Sequence, residues 1–195
     1  MKHDIILAGV GGQGILSIAA IFDYAAIAAG LHLKQAEVHG MSQRGGDVQS
    51  HLRISDKPIH SDLIPGGSAD IVLSVEPLES LRYLPYLARG GHLITNTTPF
   101  ENIPDYPPID EILRQINAVP GSITVNAGAI AKEVHNPRGM NMVMVGVASH
   151  YLTLDLTLLI EGIQTVFGRK GETVVAKNIA ALEAGRSYAA ETVTS

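Results

Sequence analysis

Two rhythms of apolar residues alternate along the chain: short continuous runs rich in Ile, Val and Leu, and longer stretches with apolar positions every three or four residues. Residues 4–8 (DIILA) are a run of the first kind and predict a strand buried on both faces. The turn Gly9-Val10-Gly11-Gly12-Gln13-Gly14 follows. Residues 15–29 (ILSIAAIFDYAAIAA) then predict a helix that is apolar almost all round, stopped by Gly30. Such a helix needs cover on more than one side, which places it between a sheet and another packed surface. Further strands are predicted at residues 31–38, 48–54, 70–75, 92–96 and 122–125.

The alternation in VQSHLRI (residues 48–54) suits a strand with one wet face. Ser55-Asp56-Lys57-Pro58 reads as a turn, with Ile59 opening a return strand. Residues 77–88 predict a helix with Pro77 in its first turn and Gly90-Gly91 at its end. Pro99, Pro104, Pro107 and Pro108 make residues 97–109 a loop, followed by a short helix over 110–117. From Asn126 onward the pattern is helical, with helices over 155–167 and 172–184 and fraying over 191–195. In residues 140–152, Met140, Met142 and Met144 beside Gly146 and Ala148 suit close helix packing in the core, a subunit interface being the alternative. The order of elements predicts a single α/β domain spanning residues 1–195. Its sheet is doubly wound, mostly parallel and Rossmann-like, with the C-terminal helices packed on it.

Composition removes several classes of function. The chain has 195 residues, 14 Lys+Arg against 19 Asp+Glu, and a net charge of −5, which gives no basic footprint for nucleic acid or for an anionic membrane surface. No apolar run reaches the length of a membrane span, and the apolar part of MKHDIILAG is too short for a secretory signal. There is no cysteine, so the chain offers no disulfide, no thiolate zinc site and no ligand for a conventional iron–sulfur cluster. That is compatible with a cytoplasmic location.

The candidate chemistry lies in two glycine-rich segments. Gly9–Gly14 satisfies G-x-G-x-x-G between a strand and a helix. Gly9 allows a tight turn, Gly11 lets backbone amides approach a phosphate, and Gly14 lets the helix pack close to the strand. Glu37, 28 residues after Gly9, occupies the approximate place of a ribose-binding acid. The alternative is glycines needed for packing alone. The second segment, residues 40–47 (GMSQRGGD), offers donors at Ser42 and Gln43, the permanent charge of Arg44, and free backbone at Gly45 and Gly46. After a second strand it would face the same crevice as the first turn, or be a solvated surface loop. His39, His51 and His60 lack metal-ligand spacing, and no catalytic elbow, Walker lysine or paired carboxylates stand out, so no metal or catalytic residue is assigned.

Taken together, GVGGQGI, AEVHGMSQRGGDVQSHLRIS (residues 36–55), EPLESLRYLPYL (76–87), GGHLITNT (90–97), NPRGMNMVMVGV (136–147) and KNIAALEAGR (177–186) resemble the gamma subunit or domain of 2-oxoacid:ferredoxin oxidoreductases. The E-V-H-G-M-S-Q-R-G-G and N-P-R-x-x-N runs favour the indolepyruvate branch, whose beta subunit the chain resembles, over the pyruvate or 2-oxoglutarate branches. The resemblance implies an accessory subunit, inactive alone, in an enzyme that decarboxylates a 2-oxoacid oxidatively to an acyl-CoA and passes electrons to ferredoxin. Thiamine diphosphate and the iron–sulfur clusters would sit on a large, cysteine-rich partner. By position it implies a role toward coenzyme A for Gly9, Gly11, Gly12, Gln13 and Gly14, and for Ser42, Gln43, Arg44, Gly45 and Gly46. An isolated copy could pair as a homodimer. Rival readings are a stand-alone NAD(P)-binding oxidoreductase, resting on the glycine turn and Glu37, and a regulatory module that binds a nucleotide or CoA.

Overall fold

A computed structural model describes residues 1–39, 46–101 and 103–193. Strand β1 (Lys2–Val10) carries Ile5, Ile6, Leu7 and Ala8 without exposure on either face, as its unbroken apolar run requires. The chain continues through α1 (Ile15–Ala28), β2 (His32–His39), β3 (Asp47–Ser55), β4 (Ala69–Ser74) and α2 (Pro77–Arg82). Then come β5 (Leu87–Asn96), α3 (Ile109–Asn117), β6 (Ser122–Val125), α4 (Ala127–Glu133), α5 (Met140–Ser149), α6 (Leu156–Phe167) and α7 (Glu172–Val193).

The six strands lie in the order β2-β3-β1-β4-β5-β6. β1, β4, β5 and β6 pair in parallel, with Ile5 opposite Ile71 and Ala8 opposite Ser74. β3 is antiparallel to both β1 and β2, so β2 runs with β1 and only β3 is reversed. The α/β, mostly parallel reading is borne out, with one change that matters for the site. β3 folds back between β1 and β2, so these two strands are not neighbours.

Helices cover both faces. Ile5, Leu7, Leu52 and Leu73 pack with residues of α1, α5, α6 and α7 on one side, and Ile6, Val72 and Leu93 pack with Tyr83, Ile112 and Ile116 on the other. α1 is sandwiched as its all-round apolar sequence demands: a Cβ on Gly162 of α6 would lie 3.1 Å from the carbonyl oxygen of Ile21. α5 is buried from Met142 to Ser149, which is the core use of the methionine-rich segment.

Four local expectations are corrected. β3 has no wet face over its second half, because it lies inside the sheet and Ser50, His51, Leu52 and Ile54 are buried. Ile59 begins no strand. Residues 56–68 are instead a loop held by side chains of β3: Arg53 Nη1 donates to the carbonyls of Ser61 (3.0 Å) and Leu63 (3.1 Å), and the Ile64 amide donates to His51 Nδ1 (3.0 Å). The helix over 77–88 stops at Arg82, since Pro85 has no amide to continue the ladder, and a 3₁₀ turn over Leu84–Tyr86 follows. Gly90-Gly91 therefore falls inside β5, where a Cβ on Gly91 would meet two β4 carbonyl oxygens at 2.9 Å. Finally, α7 runs on past Ala184 to Val193, because Ala181, Leu182 and Ala189 continue one buried stripe.

Candidate functional site at the carboxyl edge of the sheet

In a doubly wound sheet the ligand crevice opens where successive connections leave in opposite directions. Here that point lies between β1 and β4. The connection from β1 leads through α1 toward β2, whereas β4, β5 and β6 extend the sheet the other way. The edge is formed by the glycine turn after β1, by Gly46 and Asp47 at the start of β3, by Glu76 after β4, and by Asn96 at the end of β5.

The glycine turn is closed from within. The Gly11 amide donates to the Gly46 carbonyl at 2.8 Å, the Gln13 amide to the Val10 carbonyl at 3.1 Å, and the Val10 amide to Gln13 Oε1 at 2.8 Å. Gly11 and Gln13 thus have their amides engaged and act on the shape of the turn. Gly12 (φ 101°) and Gly14 (φ 82°) occupy the left-handed region that only glycine enters without strain. Among the described residues, the amides of Gly12, Gly14, Ile15 and Leu16 have no acceptor. α1 starts without a side-chain cap and without an acid in its first turn. A missing cap forgoes about 1 kcal/mol, whereas each fully buried large side chain such as Ile18, Ile21 or Phe22 contributes about 1.5–3 kcal/mol. Burial fixes where the helix begins, and its first amides stay available to an anion.

The third glycine serves a different contact from the one its motif suggests. A Cβ on Gly14 would lie 2.5 Å from Asn141 Nδ2, at the start of α5, so Gly14 admits α5 rather than bringing α1 onto β1. It is Gly9 that lets Gln13 and Ile15 lie over the strand: a Cβ there would meet both side chains at 2.9 Å. Asn141 is a site residue the chain hides by 127 positions; its signal is the second Asn of N-P-R-x-x-N.

Gly46 brings the end of the second glycine-rich segment onto the first turn. Ser42, Gln43, Arg44 and Gly45 lie outside the described residues. Glu37 is displaced from the position a ribose-binding acid needs. With β3 interposed it sits two strands from β1, about 10 Å at roughly 4.8 Å per strand. It receives Gln35 Nε2 at 2.6 Å and faces Asp23 of α1. Asp23 has its carboxyl pushed up to about 6 by burial and by the charge of Glu37, and its Oδ1 is buried with no hydrogen-bond partner among the described residues. His51 is a core histidine, bonded to Ile64 and edge-on to Tyr86, and His60 lies on the exposed loop.

On the β4 side, Glu76 is only 1% exposed. It caps α2 through Oε2, which accepts from the Glu79 amide at 2.9 Å, while Oε1 accepts from the Phe100 amide at 3.3 Å and from the Tyr106 hydroxyl. Burial and the Glu76 carboxylate hold the Tyr106 phenol well above its ordinary range, so it remains a donor. Next to it, burial raises Glu79, against the pull of Arg82 at 2.8 Å; burial and the nearby Asp47 charge push Tyr83 up to about 12. Asn96, fully buried, ties the edge together: Nδ2 donates to the carbonyls of Val75 (3.3 Å) and Thr98 (3.1 Å), and Oδ1 accepts from the Ala127 amide (3.2 Å). Among the described residues, the arrangement offers free amides to an anion and places no side-chain pair of nucleophile and base beside them.

A glycine turn with open amides at the carboxyl edge of a mixed α/β sheet is thus paired with a cysteine-free chain. Residues 4–188 match the family model described as pyruvate ferredoxin/flavodoxin oxidoreductase, and the chain belongs to that family. It is 37% identical to the indolepyruvate oxidoreductase subunit IorB of Archaeoglobus fulgidus over 97% of this chain and 96% of that protein. Among solved structures, it superposes on the keto/oxoacid ferredoxin oxidoreductase gamma subunit of Geobacter sulfurreducens with a TM-score of 0.67 at 24% identity, over 97% of this chain and 99% of that one. A TM-score of 0.75, also at 24% identity, relates it to the 2-oxoglutarate:ferredoxin oxidoreductase of Magnetococcus marinus, solved with 2-oxoglutarate, coenzyme A and succinyl-CoA bound. There 97% of this chain covers 31% of a longer one. These two likenesses establish a shared fold. Among the described residues, no helix is long and apolar enough to cross a membrane.

Proposed function

We propose that this chain is the accessory, gamma-type subunit of a cytoplasmic 2-oxoacid:ferredoxin oxidoreductase acting on indolepyruvate or a related arylpyruvate, and that all 195 residues work in it as one unit. The observation that carries the reading is the end-to-end match to an indolepyruvate oxidoreductase subunit, with neither chain leaving a substantial overhang.

The chain's part in the reaction is to bind and orient. The amides of Gly12, Gly14, Ile15 and Leu16 form a cradle for a phosphate of coenzyme A, Gly9, Gly11 and Gln13 keep the turn in shape with Gly46 bonded to it, and we assign Ser42, Gln43, Arg44 and Gly45 a role toward the same ligand on the chemistry of their side chains and backbone. The fit rests on the open left-handed turn at Gly12, where even an added Cβ would have no neighbour within 4 Å among the described residues. Oxidative decarboxylation also needs an electron sink for the carbanion and one-electron carriers, the chemistry that thiamine diphosphate and iron–sulfur clusters supply. With no cysteine this chain does not fit a cluster, and we assign both groups to a larger, cysteine-rich partner from which electrons pass to ferredoxin. The displaced Glu37 speaks against the NAD-type alternative.

The test is anaerobic isolation of the complex this chain forms in its native cell, followed by dye- or ferredoxin-coupled assay with a panel of 2-oxoacids. We expect a large cysteine-rich companion and CoA-dependent turnover that is fastest with aryl 2-oxoacids. Recovery of the chain alone, or turnover of an oxidisable metabolite without a companion, overturns the proposal.

A further inference from the structure

The loop over residues 97–101 and 103–108 reaches the carboxyl edge beside the crevice, where the Phe100 amide meets Glu76. Four of its residues are prolines, three of them in the stretch 104–108. Its backbone is tied at the start, where the Thr97 amide donates to the Val125 carbonyl at 2.9 Å and Asn96 reaches the Thr98 carbonyl. Beyond that, among the described residues, its side-chain hydrogen bonds go to one buried carboxylate, and the Tyr106 ring packs against the core cluster that holds Ile112 and Ile116. Glu76 accepts from the Phe100 amide and the Tyr106 hydroxyl on one oxygen while capping α2 with the other. A carboxylate buried to this degree is costly unless fully hydrogen-bonded, so the loop and α2 are committed to one relative position. What the loop displays there is Phe100, an aromatic ring left 44% exposed at the ligand edge.

We propose that Glu76 is a positioning residue that fixes this loop, and that Phe100 is the platform on which the purine base of the coenzyme stacks. The inference rests on the reading that the crevice receives coenzyme A, and deepens it by assigning the base, rather than the phosphates, to the β4–β5 side. Exposed aromatic rings next to a phosphate cradle bind bases through their faces, without requiring a particular base edge. Tyr106 keeps its proton through the physiological range, so its hydroxyl remains a donor to Glu76.

The test uses the assembled oxidoreductase and two acceptors: CoA, and pantetheine, which has the thiol arm but no base. For Phe100→Ala we expect the apparent KM for CoA to rise about tenfold, with kcat and the KM for the 2-oxoacid within about twofold of the parent. With pantetheine the variant and the parent should coincide, and Phe100→Trp should restore the CoA value. Tyr106→Phe keeps the ring and removes only the hydroxyl. It should raise the CoA KM at least about threefold and speed hydrogen exchange at the Phe100 amide. An unchanged CoA KM in Phe100→Ala, an equal loss with pantetheine, or failure of that variant to assemble with its partner overturns the inference. If the parent complex shows no dependence on CoA, the underlying reading fails first, before any variant is made.

Discussion

The crossing of α5 and α7 gives the sharpest quantitative expectation. Gly146 and Gly185 face the opposing helix at a distance no side chain tolerates: a Cβ on Gly146 would lie 2.0 Å from the Leu182 carbonyl oxygen, and a Cβ on Gly185 would lie 2.0 Å from that of Val143. Both obstacles are backbone, so no rotamer change relieves them. Restoring an ordinary contact of 3.4 Å needs 3.4 − 2.0 = 1.4 Å of helix separation. That movement opens a seam lined by fully buried Met142, Val143, Ala181 and Leu182, and strains the bonds from Arg186 Nη1 to Ser149 O (2.9 Å) and Oγ (3.0 Å). Overpacking of this kind costs about 3 kcal/mol, at the upper end of its usual range. Replacing Gly by Ala in a helix returns about 1 kcal/mol. Gly146→Ala should therefore lose about 2 kcal/mol net, a fall of about 4–8 °C in Tm for a chain of this length, measured by circular dichroism. Gly168→Ala is the control: its φ of −53° and ψ of −40° are helical and a Cβ there has no neighbour within 4 Å, so its Tm should hold or rise slightly. A Gly146→Ala protein that melts at or above the parent temperature would refute the close-crossing argument. Because α5 also carries Asn141 against Gly14, a shifted α5 reaches the ligand edge as well.

Four further outcomes are expected. Asp23 has a folded-state pKa of about 6 against an ordinary 3.8, so its contribution to stability is fully present below 3.8 and is lost as pH rises through 6. Asp23→Asn should accordingly be more stable than the parent at pH 8 by roughly 1–3 kcal/mol and equal to it near pH 4; urea midpoints at the two pH values decide, and a constant difference rejects the assignment. Arg53→Met should cost about 2–4 kcal/mol, since among the described residues it leaves the 1%-exposed Asp4 with Lys2 as its one ion-pair partner and frees residues 56–68, and adding Asp4→Asn should recover part of the loss. Gly12→Ala meets no steric neighbour among the described residues but forces alanine to a φ of 101°, so its denaturation midpoint should fall by the equivalent of about 1–2 kcal/mol; an unmoved midpoint would show that the turn relaxes. Arg44→Ala in the assembled enzyme should raise the apparent KM for CoA and spare that for the 2-oxoacid, and an unaltered CoA dependence removes Arg44 from the site.

The local rhythm of the chain was enough to find α1, α3 and β6 almost to the residue, and β1 short by two residues at each end, because each is specified by its own burial pattern or by neighbouring Pro and Gly. It also located the glycine turn, since a left-handed φ at Gly12 and Gly14 is a property of the residue type. The absence of thiolate ligands for a cluster was likewise legible from composition alone. Pairing of strands is a different kind of information. Nothing within VQSHLRI says that it folds back between β1 and β2, and that insertion covers the face read as wet and carries Glu37 away from the crevice. Contacts across long separations were equally silent: Gly14 with Asn141, Gly146 with Leu182, and Glu76 with Tyr106 become visible only when the helices and loops are in place. Side-chain periodicity reports how much of an element is covered; which element does the covering is decided by the packing of the whole chain.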